Sequence, residues 1–282
     1  TEVKSFDISD QTYKETLAQL KSINKKVLKL YNNQPEFKIT FDDYYNRNIN
    51  LKRINLGKKL LVKHKKILNE IYLKYKVPPE IIVSIWGIET NYGSYMGGFN
   101  IIEALATLAY ASKRKAFFKK ELINSLLIYE KNFKNSDKIM LGSWAGAMGQ
   151  SQFMPSSFLH YAVDYDKDGF IDIWNSKKDI FASIANYLKQ HGWEEGIYWS
   201  NEIKLKKKID KEGYYDVSVL SDVNSLITQK NLNKIKIKVM KNKQNNRFFA
   251  IFKNFNIIKK YNNSDYYALT VGELANIIKL YE

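Results

Sequence analysis

Glu89 is the residue of this sequence that is best placed for acid–base chemistry. It ends an apolar run over residues 81–88, which is preceded by Pro78 and Pro79. Proline suits the first turn of a helix, and a run that is apolar on all sides is typical of a buried helix. A carboxylate beside Trp86 is expected to be partly desolvated, which favours the protonated form that a general acid needs. On this stretch alone, the alternative is a helix-end carboxylate that bonds to nearby backbone or to a lysine.

A second set of carboxylates has the spacing of a calcium-binding loop. Residues 164–175 match the EF-hand pattern at positions 1, 3, 5, 6 and 9, with Gly169 at the sharp turn. Asn175 stands at the last position, where glutamate is usual, so the expected calcium affinity is lower. The alternative is an acidic turn that needs no metal. The expected ligands are Asp164, Asp166, Asp168, the carbonyl of Phe170, Asp172 and Asn175.

The composition limits the other kinds of chemistry. The 282 residues include no cysteine, which excludes disulfides, thiolate metal sites and cysteine nucleophiles. There are three histidines and no glycine-rich phosphate loop, so histidine-based and nucleotide chemistry have little support. No run of about 18 apolar residues is present, so no transmembrane helix is expected. Residues 1–4 lack the features of a signal peptide, and we expect that such a segment either was removed or never existed.

The net charge of +16 points to an anionic partner. Nucleic acid is one alternative, but the lysines are scattered along the whole chain instead of forming one basic module. A polymer that carries free carboxylates fits this charge at least as well.

Helices are predicted around both candidate groups. We expect amphipathic helices over residues 10–31 and 53–75, with His64 on a solvated face, and a loop over residues 36–50. Further helices are expected over residues 101–110, 116–129, 180–191 and 269–281.

Two other patterns complete the predicted structure. Alternating apolar residues predict antiparallel strands over residues 202–209, 235–239 and 248–258. Residues 142–149 are rich in glycine, alanine and serine, and small side chains let the backbone approach a ligand or another element closely. The alternative for this block is a tightly packed loop without a ligand.

Several ordered blocks resemble the membrane-bound lytic murein transglycosylase B family, from about residue 40 to the C-terminus. Because the blocks are long and keep their order, the resemblance is specific. It departs at Lys260, where the family usually has arginine, which puts only a peripheral contact in doubt. The blocks are residues 77–93, 96–98, 105–108, 142–156, 185–193 and 261–264.

The resemblance implies a mainly α (α+β) fold with a lysozyme-like helical catalytic core. The expected regions are an N-terminal helical region (1–75), the catalytic core (76–199), a small inserted antiparallel β subdomain (200–244) and a return to the core (245–282).

The resemblance also implies an activity, which is cleavage of the β-1,4 bond between N-acetylmuramic acid and N-acetylglucosamine in peptidoglycan. Glu89 would act first as the acid and then as the base that closes a 1,6-anhydromuramic ring. The family binds structural Ca²⁺ in such a loop, uses no organic cofactor and acts on glycan strands in the periplasm or cell envelope, with other cell-wall enzymes as further expected partners. The expected substrate-binding residues are Tyr44, Arg114, Lys115, Ser143, Gln152, Phe153, Tyr187, Tyr261, Asn262 and Tyr267.

Two alternatives share this substrate. A hydrolytic muramidase would cleave the same bond and release a product that is heavier by one water. A peptidoglycan-binding scaffold would keep the groove without turnover.

Overall fold

The computed structural model describes residues 7–20, 22–33, 39–134, 138–204, 211–216, 236–240 and 246–279. Over these ranges the chain forms twelve α-helices, one π-helical turn and six short strands. The mainly α (α+β) fold is confirmed. The helices are α1 (Asp10–Gln19), α2 (Lys25–Asn32), α3 (Phe41–Asn48), α4 (Leu51–Lys63), α5 (Lys65–Tyr75), α6 (Pro79–Thr90), α7 (Ile101–Ala111), α8 (Lys115–Ile128), α9 (Pro155–Tyr161), α10 (Lys177–Gln190), α11 (Lys253–Tyr261) and α12 (Asp265–Ile278), and the strands are β1 (Phe99–Asn100), β2 (Leu141–Gly142), β3 (Ser200–Ile203), β4 (Gly213–Asp216), β5 (Lys236–Met240) and β6 (Arg247–Ile251).

The chain forms two compact units, each made of two segments. The first unit contains residues 1–37 and 89–186, and the second contains residues 38–88 and 187–282. These limits differ from the four regions expected from the sequence, because each unit draws on distant segments, and α6 and α10 each contribute residues to both.

The first unit is built on the packing of α7 against α8. Helix α7 is apolar nearly throughout, and Ile101, Leu105 and Leu108 are fully buried. The antiparallel ribbon of β1 and β2 precedes the small-residue loop that starts at Gly142. This unit therefore has a rigid helical base on which loops carry the candidate site.

The second unit combines an antiparallel sheet with helices. The strand order is β3-β6-β5-β4, with Ser200 opposite Ile251 and Gly213 opposite Val239. Helix α12 packs against α3, α4 and β3. The sheet includes β6, so it extends past residue 244, where the sequence analysis ended the β subdomain.

Three predictions for the N-terminal region are wrong, namely one continuous helix over residues 10–31, a loop over residues 36–50, and one helix over residues 53–75 with His64 on a solvated face. Residues 10–31 form two helices, because the Asn24 side chain accepts hydrogen bonds from the backbone N–H groups of Lys26 and Val27 and starts α2 there. Residues 41–48 form α3, capped by Thr40, instead of a loop. His64 divides residues 53–75 into α4 and α5, and it is half-buried because its ring packs edge-on against Trp86, with centroids 6.2 Å apart.

The strand predicted over residues 248–258 is also wrong in its second half. Strand β6 ends at Ile251, and α11 begins at Lys253. Phe255 and Ile258 are both buried, and their spacing of three residues is helical. Of the strand predicted over residues 202–209, residues 205–209 lie outside the described ranges.

Candidate functional site

Glu89 lies in the last turn of α6, half-exposed at the end of a buried helix. The hydroxyl of Thr90 donates to the carbonyl of Gln150 at 3.1 Å and accepts from the N–H of Gly93 at 3.0 Å. Asn91, Tyr92 and Gly93 then have φ angles of 48°, 59° and 82°, a left-handed run that stops the helix. The two hydrogen bonds of the Thr90 hydroxyl therefore fix the end of the helix that carries the Glu89 carboxylate.

The turn at residues 149–153 is packed against the segment that follows Glu89. A Cβ atom on Gly93 would lie 2.2 Å from Oε1 of Gln150, so a larger residue would have to displace that side chain as well as adopt a φ of 82°. The Gln150 side chain donates to the carbonyl of Trp174, and its backbone N–H donates to the carbonyl of Ile173 at 2.8 Å. Three separate segments of the first unit are thus locked together beside the end of α6.

Gln152 and Phe153 lie in this braced turn. Gln152 has a φ of 51°, which is costly for a residue with a Cβ, and its amide donates to the carbonyls of Gly149 at 2.8 Å and Met96 at 3.2 Å. Phe153 is 2% exposed, and its backbone exchanges hydrogen bonds with Met148 in both directions. The structure therefore brings Gln152 and Phe153 into the same part of the first unit as the end of α6.

Ser143 and the basic residues occupy other positions on this unit. The Ser143 hydroxyl accepts from the N–H of Ala147 at 3.0 Å, which closes the small-residue loop on itself. Arg114 and Lys115 are exposed at the start of α8, and the Arg114 guanidinium lies 4.2 Å from the Phe117 ring centre. Arg114, but not Lys115, lines a cavity of about 490 Å³ whose other walls are Tyr31, Asn32, Lys113, Phe117, Phe118, Trp144, Ala145 and Met154.

The predicted residues of the second unit include a cluster of tyrosines. Tyr187 stacks on His191 with centroids 4.1 Å apart, contacts the Tyr261 ring at 4.8 Å and donates its hydroxyl to the carbonyl of Lys260. The rings of Tyr261 and Tyr267 are parallel within 13° at 6.5 Å. Tyr261 is half-exposed beside the exposed Asn262, whereas Tyr187 and Tyr267 are buried.

Tyr44 is the remaining predicted substrate contact on the second unit. It lies on α3, and its ring is 6.0 Å from that of Tyr266.

The acidic loop brings together three carboxylates, of which the sequence analysis named two. Asp164, Asp166 and Asp179 have oxygens that all lie within 4.8 Å of one another. Asp164 accepts from the N–H groups of Asp168 and Gly169, which closes the predicted turn. Burial, and then the negative charges of Asp166 and Asp164, raise the pKa of Asp179, although the backbone N–H groups of Asp172 and Tyr165 that donate to it act in the opposite direction.

The other predicted ligands lie outside this group of three. Asp168 is exposed and accepts from the N–H of Phe170, whose ring contacts Lys138. The Asp172 carboxylate accepts hydrogen bonds from the N–H groups of Trp174 and Asn175 and lies 3.2 Å from the Lys138 ammonium. Although burial opposes it, these bonds lower the pKa of Asp172. The Asn175 side chain donates to Asp172.

Asp179 was missed because it lies beyond the pattern of a 12-residue loop. The available signal was an acidic residue in the first turn of the helix that follows the loop.

Comparison with known proteins assigns the chain to a family. Residues 1–276 match the transglycosylase SLT domain. The chain belongs to this family. It is 34% identical over 224 residues to membrane-bound lytic murein transglycosylase B of Escherichia coli (strain K12), a match that covers 76% of this chain and 60% of that protein. The chain therefore spans about three fifths of the length of this curated SLT-domain relative.

Solved SLT-domain structures are similar over nearly the whole chain. SltB3 from Pseudomonas aeruginosa, in complex with NAG-anhNAM-pentapeptide, is 36% identical with a TM-score of 0.86, covering 97% of this chain and 76% of that one. The Escherichia coli lytic transglycosylase Slt35, in complex with calcium, is 31% identical with a TM-score of 0.81, covering 98% and 89% of the two chains. The resemblance to the lytic transglycosylases and their lysozyme-like fold is therefore confirmed. Among the helices that the structure describes, none combines the length and apolar character needed to cross a bilayer.

Proposed function

We propose that this chain is a peptidoglycan lytic transglycosylase, a glycosidic bond lyase that cleaves the β-1,4 bond between N-acetylmuramic acid and N-acetylglucosamine. The observation that carries the proposal is the position of Glu89 at the braced end of a buried helix. The support from comparison is that SltB3, a member of the same family, was crystallised with peptidoglycan fragments.

Glu89 would act twice in one turnover. As an acid it protonates the glycosidic oxygen while the bond to C1 of the muramic acid breaks. As a base it then takes the proton of the C6 hydroxyl of the same sugar, whose oxygen attacks C1 and closes the 1,6-anhydro ring. Because the nucleophile belongs to the substrate, its effective concentration is high, and no water needs to be positioned.

A hydrolase would need a second carboxylate, about 5–9.5 Å from the acid depending on its stereochemistry. In the described part of the first unit, several other carboxylates already have structural partners. Glu121 accepts from the N–H of Ser156 at 2.8 Å, Glu103 accepts from Asn24 at 3.2 Å, and Asp172 pairs with Lys138. These partners favour the transglycosylase over the hydrolytic muramidase, which remains the second candidate.

Each unit carries proposed substrate contacts on its own surface. On the first unit, Gln152 and Phe153 border the sugar nearest the acid, where their turn is fixed by backbone pairing. Ser143 and the exposed cations Arg114 and Lys115 would contact the more distant part of the strand. On the second unit the proposed contacts are Tyr44, Tyr187, Tyr261, Asn262 and Tyr267.

The acidic loop fits a structural calcium ion. Oδ1 of Asp166 is buried without a hydrogen-bond partner among the described residues, and such an oxygen is costly unless a cation or water satisfies it. Asp164, Asp166 and Asp179 would hold the ion, with Asp168 and the Phe170 carbonyl completing the set. The ion would neutralise these charges and stabilise the fold, with no part in the reaction.

The proposed partners are peptidoglycan glycan strands and other cell-wall enzymes, in the periplasm or cell envelope. The positive charge of +16 supports binding to a polymer that carries carboxylates.

Zymography on purified peptidoglycan tests whether the chain is an enzyme. The wild type should clear the gel and Glu89→Gln should not, because glutamine keeps the size of the side chain but has no titrating proton. A wild type that binds peptidoglycan without clearing it would be a scaffold, and the proposed activity would be rejected.

A further inference from the structure

The carboxylate of Asp265 is contacted by side chains from three other elements of the second unit. Nζ of Lys259 (α11) lies 2.6 Å from its Oδ1, and the hydroxyl of Tyr214 (β4) donates to the same oxygen at 2.6 Å. Nζ of Lys238 (β5) lies 2.8 Å from Oδ2. Helix α12, which Asp265 begins, is thus tied to α11 and to two strands through one side chain.

These ion pairs are more shielded from solvent than ordinary surface pairs, with side-chain exposures of 7% for Lys238, 24% for Lys259 and 19% for Asp265. The Lys238 side chain is 7% exposed, and its ammonium lies 4.4 Å from the Tyr214 ring centre, with Glu212 at 3.9 Å as a weaker second partner. Burial opposes ionisation of Asp265, but the bonds from Lys238, Lys259 and Tyr214 outweigh it and lower its pKa to about 2. A buried charge that loses its partner is costly, so the group is expected to keep one arrangement.

The Asp265 cluster encloses the turn that carries two of the proposed sugar contacts. Lys259 lies two residues before Tyr261, and Asp265 lies three residues after Asn262, so their ion pair spans the turn. Inside the turn, the N–H of Ser264 donates to the carbonyl of Asn262 at 2.7 Å. Tyr261 is half-exposed and Asn262 is exposed, and the Tyr261 ring contacts that of Tyr187.

We propose that Asp265 is a positioning residue for glycan binding, which fixes Tyr261 and Asn262 through its pairing with Lys259, Lys238 and Tyr214. This inference rests on the proposed function. The carboxylate of Asp265 ties the residues on either side of the turn together and itself need not touch the sugar. Loosening the turn should weaken binding of the strand and leave the proton transfers of Glu89 unchanged, because a contact made equally in the ground state and the transition state acts on KM.

Two variants test the role at different strengths. Asp265→Asn keeps the shape but removes the charge, and we expect KM for soluble glycan strands to rise roughly tenfold with kcat within about twofold. Tyr214→Phe removes one donor from an exposed side chain, so the fold should be preserved, and KM should rise about two- to threefold. The matched control is Lys253→Met on α11, the helix that also carries Lys259. It breaks the exposed ion pair with Glu194 and should leave KM and kcat unchanged.

A second measurement separates this inference from the proposed function. Affinity for glycan fragments is measured by calorimetry in the Glu89→Gln background, with and without Asp265→Asn or Tyr214→Phe. If Glu89→Gln alone binds and both double variants bind as tightly, the positioning role is overturned while the function stands. If the wild type neither binds nor cleaves, the proposed function fails. Lower melting temperatures with unchanged KM would make Asp265 purely structural. A KM increase that is largest for Asp265→Asn, smaller for Tyr214→Phe and absent for Lys253→Met supports the inference. If Asp265→Asn folds poorly, the comparison of Tyr214→Phe with Lys253→Met still decides it.

Discussion

Replacing Glu273 with glutamine should remove a dependence of stability on pH near neutrality. Glu273 lies on α12 and is 8% exposed. Burial, and then the charge of Glu202, raise its pKa from 4.5 to about 7, although Arg247 opposes the shift. The folded state therefore binds more protons than the unfolded state between these two values, so the free energy of unfolding falls as pH rises through that window.

The magnitude follows from the size of the shift. The pKa rises from 4.5 to about 7, and each pKa unit corresponds to ~1.36 kcal/mol. The free energy of unfolding of the wild type should therefore fall by about 3 kcal/mol as pH rises, most of it between pH 5 and pH 8. Glutamine stays neutral, so the difference in unfolding free energy between Glu273→Gln and the wild type should grow in favour of the variant by up to that amount.

Urea denaturation at pH 5, 6, 7 and 8 measures this difference. The contributions of the other titrating groups are shared by the two proteins and cancel in the difference. Glu70→Gln is the matched control, because Glu70 is exposed on α5. A difference between Glu273→Gln and the wild type that stays constant from pH 5 to pH 8 would refute the account of Glu273 as a desolvated carboxyl.

The other predictions concern the first unit. Millimolar calcium should raise the melting temperature, because an ion at a hundredfold excess over its Kd adds ~2.7 kcal/mol to the free energy of unfolding. Asp166→Asn should abolish this rise, and equal melting curves with calcium and with chelator would show that the turn binds no metal. Gly93→Ala should destabilise the fold by about 1–3 kcal/mol, because its φ of 82° is left-handed and the new Cβ would meet Gln150, and a melting temperature equal to that of the wild type would contradict this. Gln152→Ala should slow turnover without altering the product, as read by chromatography of the released fragments; unchanged kinetics would remove Gln152 from the site.

The sequence predicted best the elements whose own residues dictate their structure. Residues 101–110 were expected to form a helix, and α7 runs from Ile101 to Ala111, because nearly every position is apolar and Asn100 caps the start. The predicted helix over residues 116–129 likewise corresponds to α8. Glu89 was expected at a helix end, and α6 ends at Thr90.

The misses depend on contacts between distant residues or on signals that are weak locally. Helix α3 is highly polar, so it has little apolar periodicity, although Thr40 and the acidic residues of its first turn marked its start. The burial of His64 depends on Trp86, which lies 22 residues away in the sequence. Asp179 joins Asp164 and Asp166 only because the chain turns back at α10, and a linear loop pattern does not describe that turn.

Mass spectrometry of the fragments released from purified peptidoglycan tests the central claim most directly. The wild type should release fragments that end in 1,6-anhydromuramic acid, and Glu89→Gln should release almost none, since a positioned acid–base group contributes about 10²–10⁴-fold. Fragments that end mainly in reducing muramic acid, heavier by one water, would contradict the transglycosylase account, as would a Glu89→Gln variant that keeps more than a few per cent of the wild-type rate.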